Sequence, residues 1–147
     1  MDQTLRGVER LFRALADTTR LRILALLVTG EVCVCHVHQS LRIPQPKASR
    51  HLAYLRRAGL VETRRQGLWV YYRLADTSDA VTRTIRQAVA HALGHLATTR
   101  QDIGRLQKRT GCCVPAPAGA PEFTCCGPDS ATRATGKRPA AGLVSGR

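Results

Sequence analysis

At 147 residues the chain suits one compact domain with a long element or tail attached. Its apolar share of 44% is ordinary for a globular protein, and its longest apolar runs are too short for a bilayer-spanning helix, so no membrane partner is expected. With 23 Lys and Arg against 10 Asp and Glu, the formal charge is +13. That balance points to a polyanion, because each neutralised phosphate releases counterions and adds affinity independent of sequence.

Residues 4–15 place Leu5, Val8, Leu11, Phe12 and Leu15 on one helical face. Asp17 is positioned to cap a second helix whose Leu21, Leu24, Leu27 and Val28 form a stripe, and Thr29-Gly30 ends it. The spacing predicts a third helix over Cys33 to Leu41. A turn at Ile43-Pro44-Gln45-Pro46 follows, because a residue before proline is biased out of the helical region. A fourth helix then runs to about Ala58 with Ala48, Leu52 and Leu55 inward, and Gly59 stops it. Leu60–Arg65 and Leu68–Leu74 read as two strands joined at Gln66-Gly67.

From Thr77 to Gln107 the pattern predicts one long helix with Val81, Ile85, Val89, Ala92, Leu96, Ile103 and Leu106 along a seam. A seam of that length is expected to pack against a second copy of the chain, in preference to folding back on its own core. His91 and His95 share a face at a spacing that can chelate zinc, but exposed or interface histidines are the expected reading. The domain is therefore expected over residues 1–108, and residues 109–147, rich in Gly, Pro, Ala and Ser, are expected to form a flexible, cysteine-containing tail.

Helix, short turn, helix and basic hairpin is the winged helix-turn-helix order, which gives a mainly α fold with a β-hairpin wing. Its partner is expected to be double-stranded DNA. Gln45, Lys47, Ser49, Arg50 and His51 stand on the N-terminal half of the fourth helix, where base edges are read, and Arg56, Arg57, Arg64 and Arg65 are better placed for phosphates.

The N-terminus lacks a basic segment followed by an apolar block, so a cytoplasmic setting with reduced thiols is expected. The six cysteines then read as metal or redox ligands before structural disulfides. Cys33 and Cys35 lie at the start of the third helix, where unpaired backbone N–H groups favour thiolate, the ligand form for soft ions such as As(III), Sb(III), Cd(II) and Pb(II). On a straight helix positions i and i+2 are roughly 200° apart, so two such sulfurs meet at one ion only if that turn unwinds or tilts. Cys112-Cys113 and Cys125-Cys126 leave three readings open: donors to the Cys33/Cys35 site, a second metalloid site, or a redox or scavenging appendage.

The segments LFRALADTTRLRILALL, EVCVCHV and QPKASRHLAYLRRAGLVETRRQGLWVYYRL together resemble the ArsR/SmtB family of metal-responsive repressors, in its arsenical-resistance branch, over roughly residues 8–105. The resemblance implies a non-enzymatic homodimer, joined through its terminal helices, that holds operator DNA when apo. It also implies release on binding As(III) or Sb(III) at Cys33 and Cys35, with Cd(II), Pb(II) or Zn(II) as alternative inducers and no small organic substrate. The chain departs from the family at Thr18, Pro44 and His36, and His38 stands where arsenical members with three thiols carry the third. Two other classes are weighed. A thiol reductase needs a cysteine followed by a loop of N–H donors and an arginine, but Cys113 is followed by Val-Pro-Ala-Pro. A metal-buffering protein would have no use for the basic helix and wing.

Overall fold

The computed structural model describes residues 5–108; the expected tail and its Cys112, Cys113, Cys125 and Cys126 lie outside them. The elements run α1 (Leu5–Leu15), α2 (Thr18–Val28), β1 (Val32–Cys33), α3 (Val34–Leu41), α4 (Gln45–Arg57), β2 (Val61–Gln66), β3 (Trp69–Leu74), α5 (Ala80–Gly94) and α6 (Ala97–Gln107). No helix among the described residues is long and apolar enough to cross a membrane.

α2 is the central helix. Asp17 is its N-cap, with the side chain accepting from the Arg20 amide at 2.9 Å. All five residues from Ile23 to Leu27 are buried, so α2 is covered around most of its girth, more widely than a single stripe. Leu26 packs at the centre with Ile23, Val37, Leu52, Leu55 and Leu60. On α1 only part of the expected face is used: Leu11, Ala14 and Leu15 are buried, while Leu5 and Phe12 face outward.

The third helix starts one residue later than its pattern suggests. Cys33 is extended (φ −72°, ψ 147°) and is the N-cap of α3, because its backbone belongs to β1. That short strand pairs antiparallel with β3, Val32 opposite Tyr72 and Cys33 opposite Tyr71, and completes a three-stranded sheet of order β1-β3-β2. β2 and β3 form the expected hairpin, registered from Val61 opposite Leu74 to Gln66 opposite Trp69. Gly67 supplies the positive φ (59°) that its two-residue turn requires.

Arg42 closes α3 in the left-handed region (φ 56°), and Pro44 caps α4 with Pro46 inside its first turn, where no amide partner is lost. Ala48, Leu52 and Leu55 face the core as their spacing predicts.

The single long helix expected over 77–107 is instead two helices. α5 ends at Gly94, Leu96 is extended (ψ 133°), and α6 turns back to pack on α2 and α3. Leu106 and Thr99 are buried against the chain's own core, so folding back is the correct reading for this half of the seam. A buried ion network joins α6 to α2 and α3. Asp102 is fully buried and takes Arg22 through both carboxylate oxygens (2.7 and 2.8 Å) and Arg105 at 2.7 Å. The two guanidinium groups also donate to the Leu41 and Ser40 carbonyls at the end of α3. A buried carboxylate with these partners fixes α6 against α2 and α3.

Candidate nucleic-acid interface and thiol pair

α4 presents Gln45, Lys47 and Arg50 to solvent at its N-terminal half and Arg56 and Arg57 at its last turn, with Ser49 half-buried. His51 is different. Its ring packs toward α2, with Nδ1 3.6 Å from the Asp17 carboxylate. Burial pushes the imidazole below its ordinary pKa; Asp17 opposes this, while Arg20, Lys47 and Arg50 reinforce it. Asp17 is affected in turn. Burial disfavours its charge, but the Arg20 amide, the Arg20 guanidinium and His51 outweigh that, so its carboxyl lies below the usual value. The Arg20 guanidinium also stacks 4.3 Å over the ring of Tyr54, tying α2 to the face of α4.

On the wing, Arg65 is exposed opposite Val70. Arg64 lies over the Tyr71 ring at 4.8 Å and donates from Nε and Nη2 to the two oxygens of Glu31 (2.8 and 3.0 Å). Its Nη1 donates to Gln66 at 2.8 Å. α4 and the wing thus offer Gln, Lys and Arg groups of the kinds that meet base edges and phosphates.

The thiols stand behind this surface. Cys33 and Cys35 are buried, 2% and 4% exposed, with their Sγ atoms 3.0 Å apart. The expectation that the two sulfurs stand on opposite sides of a helix is therefore corrected: the extended backbone at Cys33 turns its side chain toward that of Cys35. Metal–sulfur bonds of ~2.3 Å at angles of about 90–110° set two sulfurs on one ion roughly 3.3–3.8 Å apart, a spacing slightly wider than the one observed here. Among the described residues no group of three or more His, Cys, Asp or Glu is arranged to hold a metal. The His38 ring Nδ1 instead lies 3.2 Å from the Ile43 carbonyl.

His91 and His95 are exposed, with ring nitrogens 3.4 Å apart at the end of α5. Glu31, Tyr71 and the Asp17–His51 contact were not anticipated as parts of this region.

A helix pair followed by a basic hairpin, with the second helix presenting its polar face, is a winged helix-turn-helix. The arsR family of bacterial regulatory proteins matches residues 17–63, and the chain belongs to that family. It is 55% identical over 64 residues to the arsenic resistance transcriptional regulator ArsR1 of Pseudomonas putida, covering 43% of this chain and 50% of that one. It is 41% identical over 110 residues to the HTH-type transcriptional regulator KmtR of Mycobacterium tuberculosis, covering 75% and 79%. Among solved structures it is similar to the homodimeric winged helix-turn-helix DNA-binding domain Mb0332 of Mycobacterium bovis, with a TM-score of 0.53, 35% identity, and 65% and 90% coverage. The chain spans about half the length of the arsenic-resistance regulators it matches.

Proposed function

We propose that the protein is a transcriptional repressor that binds operator DNA as a dimer and leaves it when As(III) or Sb(III) binds through the thiolates of Cys33 and Cys35. The observation that carries the reading is the 3.0 Å approach of the two sulfurs on the strand–helix junction next to α4 and the wing. Gln45, Lys47, Ser49 and Arg50 act at base edges, and Arg56, Arg57, Arg64 and Arg65 act at phosphates; His51 has a smaller part, because its ring is half-buried and turned toward Asp17.

Soft thiolates select soft ions, and an ion that binds better when the junction opens shifts the population away from the DNA-bound form by its differential affinity. As(III) takes a third sulfur readily, and Cys112, Cys113, Cys125 and Cys126 are the chain's remaining thiols. Cd(II), Pb(II) or Zn(II) is the inducer if the tail adds two sulfurs to the pair. Exposed Leu5 and Phe12 of α1 and Val81 and Leu96 of the C-terminal helices supply an apolar surface for the second copy.

The test is release from a fluorescent operator fragment titrated with arsenite and, separately, Cd(II). Wild type is compared with Cys33→Ser/Cys35→Ser and with a chain ending at Thr110. Release that survives truncation and is lost in the double serine variant assigns the sensor to the pair. Loss on truncation adds the tail as a ligand donor, and absence of operator binding removes the repressor reading.

A further inference from the structure

Cys33, Tyr71 and Arg64 stand in one rank across the sheet, since Cys33 is opposite Tyr71 on one side of β3 and Arg64 is opposite Tyr71 on the other. Glu31, two residues before Cys33, reaches along this rank and takes Arg64 through both carboxylate oxygens. A bidentate carboxylate uses the same fork of guanidinium N–H groups that a phosphate uses. The pair is part-exposed, with side chains 43% and 29% accessible, so another anion can approach it. Arg65 follows Arg64 on β2 and is exposed as well, so the strand that Glu31 meets carries two adjacent guanidinium groups.

We propose that Glu31 is an intramolecular competitor of DNA phosphate for Arg64. The proposal rests on the DNA-binding reading above. On the duplex, Arg64 exchanges the Glu31 carboxylate for a backbone phosphate. Glu31 therefore lowers affinity without touching a base, and it does so from the segment that leads directly into the thiol pair.

The experiment titrates the full-length chain, as wild type, Glu31→Gln, Arg64→Gln and the double variant, against a fluorescent duplex selected from a random pool by the wild type. It is repeated across a series of salt concentrations, with circular dichroism as the check on folding. Glu31→Gln is expected to tighten binding by roughly two- to fivefold, the range that part-exposed ion pairs reach. The Arg64→Gln variant is expected to lower the salt slope by about one unit relative to wild type, the loss of one phosphate contact. In that background the Glu31→Gln gain is expected to disappear. Unchanged binding in Glu31→Gln overturns the competitor. Weaker binding also overturns it, since Glu31 would then be orienting Arg64 for phosphate. Both leave the DNA reading intact if wild type binds; if wild type selects no duplex, the two readings fall together.

Discussion

Cys33 and Tyr71 face each other in the antiparallel pairing of β1 with β3, which makes Cys33 a member of the same sheet as the wing. A change at Cys33 therefore reaches the wing through backbone hydrogen bonds as well as through α3. The single tryptophan of the chain, Trp69, begins β3 two residues before Tyr71. Arsenite added to the wild type is expected to change Trp69 fluorescence with the same midpoint as DNA release. Cys33→Ser is expected to abolish both. A fluorescence change that persists in Cys33→Ser would place the responding site elsewhere.

Asp102 ties three helices together. Its truncation to Ala leaves the Arg22 and Arg105 guanidinium groups at a protein-lined site without their carboxylate. The expected loss is about 2–4 kcal/mol, toward the lower part of the range for broken buried pairs because both arginines are partly solvated. Urea unfolding measures it. A loss under about 1 kcal/mol would show that α6 is held by Leu106 and Ile103 alone.

Asp17 and His51 give the fold an acid limit of known sign. Asp17 has a lowered pKa, so its stabilisation is present above the ordinary carboxylate value and is lost as pH falls through the lowered one. Asp17→Ala is expected to cost ~1 kcal/mol at neutral pH as a lost helix cap, with the difference shrinking as pH falls below the ordinary carboxylate value of about 3.9.

His51 also has a lowered pKa, so the unfolded chain takes its proton first. Its contribution is fully present above about pH 6.5 and declines as pH falls from there toward the folded value. His51→Gln is expected to flatten the stability profile between about pH 7 and pH 5. An unchanged profile would show that the imidazole is solvated in solution.

Phe12 is 55% exposed on α1 and Leu96 is 52% exposed where α5 meets α6. If these faces join two copies, Phe12→Asp is expected to raise the dimer dissociation constant at least about tenfold, as truncation of a central aromatic anchor does. Sedimentation equilibrium measures the change. A dimer of unaltered affinity would move the interface off α1.

The reading helix and hairpin were legible because local signals agree there. Prolines mark the entry to α4, Ala48, Leu52 and Leu55 carry its apolar face, and Gly67 marks the turn. β1 was not legible, since a strand of two residues has no period, and only its pairing with Tyr71 and Tyr72 defines it. That omission hid the meeting of Cys33 with Cys35. The break at Leu96 was missed for the opposite reason. Apolar spacing continues through it, while Arg22, the partner that Asp102 of α6 takes on α2, lies 80 positions away. A pair so distant in sequence leaves no periodic trace.

In the order β1-β3-β2, the outer side of β2 is a sheet margin. A bare margin invites another strand, and with it fibrillar self-association. Here β2 reads Val-Glu-Thr-Arg-Arg-Gln, and a second copy laid alongside in parallel register would bring Arg64 and Arg65 against like charges. The arginines proposed for phosphate contacts thus also set a charge barrier against in-register stacking of wings. Their replacement by apolar residues would first show as light scattering in concentrated solution, before any loss of thermal stability.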